Sequence, residues 1–303
     1  MDPTPPEIPS TPKVDEDAVS LCEAAARHFD LDLTPSAWLA GGDEALVLKA
    51  TGGGSVFVLH ASPDRLSREE LLWAHSVAQH AARSVPQAIS PIERHGTTLC
   101  RWRNRSVALY PFVDGDLVKR TDPLQQLAAA RALAKVHVAL LDWNGGPRPN
   151  ADANRGEAIS SQVMSDTGLD SWWERTRGAS LHSVIHGDFY QRNLIARGSE
   201  IVGIIDWHDC TIAPLALELA GAAFEFSRDE NHGLDVGRAR GFTAAYRAAG
   251  GPVPTHDLAS LGQFMRMWLR RDVALNLLCG TDLSDPYIAR QIAAFRNLAD
   301  LDL

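Results

Sequence analysis

The sequence predicts an α+β fold with a strand-rich first third and a mainly helical remainder. Three observations carry this. Short β-prone runs lie between Ala37 and Ala61 and again between Thr97 and Val113. From Asp122 onward, long segments repeat their apolar residues at helical spacing. Within that helical part, two apolar strand-like pieces flank a dense polar loop between Val184 and Trp207.

Taken in order, Pro3, Pro5, Pro6, Pro9 and Pro12 mark residues 1–14 as an extended, mobile arm. A first helix is expected from about Asp15, where Val19, Cys22, Ala26 and Phe29 fall on one side and acidic residues crowd the start. "SAWLA", "EALVLKA" and "SVFVLHA" follow as strands, with Gly52 to Gly54 as a hairpin turn, since such turns need positive φ. "SREELLWAHSVAQHAARS" has helical character and stops before Pro86; "TTLCRWR" and "SVALYPFV" make a further antiparallel pair. This first lobe is expected to span 15–112, with "VDGD" as the connection to a second lobe, 113–303. The second lobe opens on a long helix with Pro123 in its first turn. A Gly-, Pro-, Asn- and Asp-rich loop spans Asn144 to Asn154, and helices dominate beyond Pro214.

The 303 residues hold 29 Lys plus Arg against 38 Asp plus Glu, a formal charge of −9, and 45% are hydrophobic. A chain of that size and composition supports a substantial core. The acidic balance argues against nonspecific nucleic-acid binding, which needs basic patches, and mildly favours a cationic partner. Cys22, Cys100, Cys210 and Cys279 lie far apart, with no CxxC pair, which fits a reducing, cytoplasmic setting without a zinc cluster. The acidic, proline-rich start has no apolar signal core, and no apolar run approaches the ~20 residues of a membrane helix. The oligomeric state is left open.

The chemistry concentrates in "HGDFYQRN" and "IIDW". Asp188 and Asp206 offer acceptor oxygens, and Asn193 adds a neutral oxygen and an amide donor. Phosphoryl transfer needs one group to orient the incoming hydroxyl and a magnesium ion to organise phosphate oxygens; an acidic loop residue, an Asn and a second Asp meet both needs. At ~5% per residue type, H-G-D-x-x-x-x-N arises by chance in about 0.2% of chains of this length, and here it stands between strand-like pieces, as the chemistry requires.

On "HGDFYQRNLI" and "GIIDWHD", supported by "ALAKVHVAL" upstream and "APLALELA" downstream, the sequence resembles the aminoglycoside phosphotransferase/choline kinase-like family, with homoserine-kinase-type features, from about Ser20 to Phe242. The resemblance implies a bilobal protein-kinase-like fold and transfer of the γ-phosphate of ATP or GTP, with Mg2+, to a hydroxyl of a small molecule. It makes Asp188 the catalytic base or hydroxyl-orienting group, Asn193 and Asp206 the magnesium ligands, and His186 and His137 braces. Gly41 and Gly42 would cover the nucleotide. Tyr110, Phe112 and Val113 would form the hinge at the adenine ring.

Two departures from the family pattern stand out. His60 occupies the late position of the third strand where the family has a phosphate-binding Lys or Arg; Lys49 lies one strand earlier. The helix carboxylate that would orient the cation is Glu70, with Glu69 its neighbour and competitor. Glu218 stands where the downstream motif usually carries Asp. The missing strand cation keeps a catalytically weak nucleotide-binding regulator open as an alternative. A protein kinase is disfavoured because Tyr190 stands where a Lys is usual, and a P-loop kinase because no GxxxxGK[ST] occurs. Aminoglycoside, macrolide, homoserine, choline-like amine and sugar acceptors all remain open.

Overall fold

The computed structural model describes residues 15–39, 45–150, 162–229 and 233–300. The proline-rich arm and the Gly41–Gly42 turn lie outside the described residues. The chain divides into two compact units. The first comprises the residues up to His75 together with Ile89–Val113, and the second Ser76–Ala88 together with the residues from Asp114 onward.

In the first unit, α1 (Glu16–Phe29) starts where Asp15 accepts the Ala18 N–H and ends at Asp30 in the left-handed region. Five antiparallel strands follow, β1 (Thr34–Leu39), β2 (Leu46–Gly52), β3 (Ser55–Ala61), β4 (Cys100–Trp102) and β5 (Arg105–Pro111), in the order β1-β2-β3-β5-β4. Gly53 and Gly54, with φ of 56° and 79°, close the β2–β3 hairpin as the triple glycine predicts. Alternation along the strands sends Leu48, Ala50, Leu59, Ala61, Val107 and Leu109 to one face, where Leu21, Cys22, Ala25 and Phe29 of α1 cover them. The opposite face meets α2 (Arg68–Ala82) through Leu71, packed with Leu99 and Ala108.

The division falls inside α2, after His75. Its second half keeps company with the second unit: His80 bonds Asp142 at 2.7 Å, and beyond the helix the Ile204 N–H reaches the Gln87 carbonyl at 2.7 Å. Sequence periodicity reads one uninterrupted helix here and cannot see that its two halves have different neighbours.

The second unit is built on helices α3 (Pro123–Leu140), α4 (Thr167–Thr176), α5 (Leu215–Phe226), α6 (Val236–Ala248), α7 (Thr255–Leu258), α8 (Leu261–Leu278) and α9 (Pro286–Asn297). Asp122 caps α3 and Pro123 occupies its first turn. Helix α5 is mostly apolar and largely buried, and α3, α6 and α8 pack on it. Two small antiparallel sheets sit among these helices. In one, β7 (His182–Ile185) pairs with β10 (Thr211–Pro214); in the other, β8 (Leu194–Arg197) lies between β6 (Asp116–Leu117) and β9 (Glu200–Ile204). Strands β6 and β10 are absent from the sequence reading, which takes "VDGD" as a plain connection; runs of two and four residues are too short to show a period. The helix expected over "LASLGQFMRMWLRRDVALNLL" is α8, which starts at Leu261, just past the Ala259–Ser260 break that separates it from α7. No helix among the described residues is long and apolar enough to cross a membrane.

Candidate active site

The first unit carries the residues assigned to the nucleotide. His60 is half-buried on β3, between the fully buried Leu59 and Ala61, so it faces the α2 side of the sheet. Its Nδ1 lies 3.5 Å from Ser62 Oγ, and its ring meets Tyr110 edge-on at 6.4 Å. Lys49 pairs with Val58 on the same face, its Nζ 4.0 Å from the centre of the Phe112 ring. Glu70 accepts the Ser67 N–H at 3.0 Å while Ser67 Oγ accepts the Glu70 N–H at 3.2 Å, a capping box that starts α2. Tyr110 bonds His75 through its hydroxyl at 3.2 Å. The Phe112 N–H continues the sheet onto the Val56 carbonyl at 3.1 Å, whereas the Val113 N–H has no partner among the described residues.

The second unit carries the "HGDFYQRN" and "IIDW" motifs. Residues 186–190 form the loop between β7 and a short 3-10 turn, Gln191–Asn193, that leads into β8. His186 is fully buried; its Nδ1 accepts the Asp188 N–H at 3.3 Å, so its proton sits on Nε2, which donates to the Ile205 carbonyl at 3.0 Å. Burial holds this imidazole below the ordinary histidine range, in keeping with that neutral form. The Nδ2 of Asn193 donates to both the main-chain oxygen of Asp188 (2.9 Å) and its carboxylate (2.7 Å). The loop thus carries its own clamp on Asp188.

Asp206 lies on the neighbouring loop, between β9 and β10, with φ of 62°. The two loops are joined by the His186–Ile205 bond and by the Ile205 N–H on the Asn193 carbonyl at 3.0 Å. His208 Nδ1 sits 2.7 Å from Asp206 Oδ1, so this histidine partners the carboxylate. The structure therefore brings Asp188, Asn193 and Asp206 together in one unit.

Behind the loop, Glu218 of α5 is wholly buried and accepts the N–H groups of His186 (3.1 Å) and Gly187. It also bonds His137 Nε2 at 2.9 Å, and His137 Nδ1 meets the Tyr246 hydroxyl at 2.7 Å. Burial opposes the Glu218 charge, but its hydrogen bonds outweigh burial and hold the carboxyl below the usual range. The longer arm of Glu218 therefore serves the internal hydrogen bonding expected of the usual Asp.

Asp188 is the opposite case. Burial, then the charges of Asp209, Asp206 and Asp272, raise its carboxyl well above the ordinary range, against the pull of the Asn193 bond. An ionised carboxylate so placed binds a proton tightly, which suits a base for an alcohol. In the sequence, Arg266, Arg270 and Arg271 read as a basic helix face, with an anionic ligand as the alternative. The structure shows the Arg271 guanidinium on the carbonyls of Gly187 (2.7 Å) and Asp209 (3.4 Å), a role no local pattern announces. Its neighbours Arg266 and Arg270 have other work: Arg266 holds Asp166 at 2.6 Å, and Arg270 holds Asp170 and the Met164 carbonyl. Trp172 and Trp173 pack edge-on against Phe264.

A homoserine kinase of Brucella anthropi is 25% identical over 245 residues, 74% of each chain. Among solved structures, a microcompartment-associated aminopropanol kinase superposes with a TM-score of 0.68 at 16% identity, over 92% of this chain and 95% of that one. A thermostable mutant of aminoglycoside phosphotransferase APH(4)-Ia, in ternary complex with AMP-PNP and hygromycin B, gives 0.63 at 17% identity, over 93% and 100%. At such identities the structural likeness establishes the fold, and the profile of the phosphotransferase enzyme family (APH) matches residues 39–252. With the family match spanning most of the chain and homoserine kinases among its relatives, the protein is a small-molecule phosphotransferase with an alcohol acceptor and belongs to the phosphotransferase enzyme family.

Proposed function

We propose that the chain transfers the γ-phosphoryl group of ATP to the hydroxyl of a small, amine-bearing alcohol. The acceptor oxygen attacks γ-phosphorus, the bond to the bridging oxygen breaks, ADP leaves with that electron pair, and the hydroxyl proton passes to Asp188. The observation that carries this reading is the clamp of Asn193 Nδ2 on Asp188, beside the Asp206 loop. The adenine nucleotide in the APH(4)-Ia complex supports ATP as donor. Nothing in the family match or the relatives favours the regulatory alternative.

The residues present suit magnesium. With its Nδ2 on Asp188, Asn193 has its Oδ1 to offer, and Asp206 adds a carboxylate: hard oxygen donors of the kind magnesium takes while keeping several waters. Once bound, the ion would neutralise charge on the β- and γ-phosphates. In the first unit, we assign the base edge to the backbone at Tyr110, Phe112 and Val113, with the Val113 N–H as donor, and a phosphate contact to His60, with Glu70 on the α2 side. Gly41 and Gly42 complete the assignment from outside the described residues. The scattered thiols, with Cys22, Cys100 and Cys210 buried, support a cytoplasmic setting.

The deciding experiment is a transfer screen with ATP and Mg2+ against homoserine, amino alcohols, choline, aminoglycosides, macrolides and sugars, reading phosphorylated product by mass spectrometry. Product that appears with the wild type and not with D188N supports the reading; no product from any acceptor overturns it. D206A should weaken magnesium-dependent nucleotide binding in calorimetry, and an unchanged magnesium dependence would move the ion elsewhere.

A further inference from the structure

Anchors stand on both sides of Asp206 in the loop between β9 and β10. Before it, the N–H groups of Ile204 and Ile205 donate to the carbonyls of Gln87 (2.7 Å) and Asn193 (3.0 Å). After it, the buried Trp207 meets the His186 ring at 4.6 Å and donates from its indole to the Ile204 carbonyl at 3.1 Å. Next in the chain, the Asp209 carbonyl accepts from Arg271 at 3.4 Å and the Cys210 carbonyl from Arg148 at 3.0 Å. Asp206 itself has φ of 62°, a conformation that a residue other than glycine keeps only where its surroundings over-determine it.

Anchors on the main chain do not fix a side chain. That of Asp206 is 44% exposed, and an aspartate facing water has several staggered rotamers open to it. Two residues on, His208 Nδ1 lies 2.7 Å from Asp206 Oδ1, and the His208 side chain is only 13% exposed. An ionised carboxylate only accepts, so Nδ1 carries the proton and donates. The donor is packed and the acceptor is not, so the bond restrains the carboxylate rather than the ring. It uses one of about four acceptor positions on the carboxylate, which keeps capacity for a metal ion. Magnesium takes oxygen donors in preference to imidazole, which places His208 behind the ligand rather than among the ligands.

We infer that His208 is a positioning residue for the metal: its Nδ1–H holds the Asp206 carboxylate in the rotamer that receives magnesium. This inference rests on the reading of Asn193 and Asp206 as the magnesium ligands. The two ligands are oriented by different means. Asn193 is buried, and its Nδ2 is fixed on Asp188 at 2.9 and 2.7 Å. Asp206 is exposed and lacks that enclosure, so a hydrogen bond from a packed neighbour takes its place. Hydrogen bonds of this kind onto ligating side chains are worth roughly 10- to 100-fold in metal affinity.

The test is calorimetry of AMP-PNP binding to the full chain over a series of Mg2+ concentrations, for wild type, H208A, H208N and D206A. H208A should raise the Mg2+ concentration for half-maximal effect by about 10-fold or more, with AMP-PNP affinity in metal-free buffer unchanged. H208N carries an amide that can donate from close to the Nδ1 position, and should recover most of the loss. D206A should lose the Mg2+ response. An H208A protein with the wild-type Mg2+ requirement, beside a D206A protein that has lost the response, overturns the positioning role and leaves the metal ligands in place. A lower requirement in H208A overturns it too, since the bond would then compete with the metal. H208N as impaired as H208A does the same, because bulk rather than the donor would matter. An unchanged response in D206A removes the metal assignment and this inference together. Where H208A fails to fold, H208L fills the space without a donor, and its Mg2+ requirement against that of H208N decides.

Discussion

Arg271 donates from Nη1 to the carbonyl oxygen of Gly187 at 2.7 Å, and its Nη2 reaches the Asp209 carbonyl at 3.4 Å. One guanidinium from α8 thus ties the loop of Asp188 to the loop of Asp206. The fit is close: Gly187 has φ of 87°, and a Cβ there would lie 1.9 Å from the Asp209 oxygen. Gly187 is required both for its backbone conformation and for the approach of the second loop.

From this follows a first prediction. R271A should lower kcat by about 10- to 100-fold, because small misplacement of a catalytic group is costly, while acceptor KM changes less. R271K should recover part of the loss by restoring one donor. Steady-state kinetics checks this; a loss confined to KM, or none, would remove the positioning role.

The second concerns Asp188 and pH. Its folded-state carboxyl binds a proton more tightly than in the unfolded chain, so its stability contribution is complete below the unfolded value of ~3.9 and is lost as pH rises through the folded one. D188N escapes that loss. It should therefore melt higher than wild type at neutral pH in metal-free buffer, with the gap closing toward pH ~4, while transfer falls by about 10²–10⁴-fold. Paired melting curves across pH, with product assays, are the measurement; a D188N protein that melts lower at neutral pH contradicts the electrostatic account.

Glu218 should behave in the opposite sense. Its carboxyl is lowered in the fold, so its stabilisation is present above the unfolded value of ~4.3 and fades as pH falls through the folded one. E218Q places an amide against two backbone N–H groups and His137, and should cost about 3 kcal/mol at neutral pH, less in acid, with transfer lost alongside. Urea unfolding of both proteins at pH 7 and pH 4 reads the difference.

His60 is the test of the first unit. Near neutral pH an unperturbed imidazole carries only part of a charge. H60K should strengthen ATP binding and H60A weaken it, with melting temperatures recorded to detect a buried unpaired lysine. If H60A leaves ATP affinity and turnover unchanged, the phosphate contact lies elsewhere.

Much of this architecture is legible from local pattern. Strand β3 and helix α5 coincide with the apolar runs that announce them, and Asp15, Asp122 and the Gly53–Gly54 turn mark ends through chemistry contained within a few residues. The Asp188–Asn193 pair is legible for the same reason: the partners stand only five positions apart, and their bond is local. Strands β6 and β10 are not legible, because two or four residues show no period and exist only through partners found elsewhere.

What the amino-acid order determined by itself is therefore the main helices and the longer strands, the "HGDFYQRN" and "IIDW" motifs and the family they imply. Tertiary structure alone decided that Glu218 would brace the loop from 31 and 32 residues away, that Arg271 would hold it from 84, and that Asp272 would meet Gln291 across 19. An isolated Arg or Asp on a helix face carries no record of its partner. Its meaning comes from the carbonyl or carboxylate that packing brings within about 3 Å, and that distance is set by the burial of the whole unit rather than by any neighbouring residue.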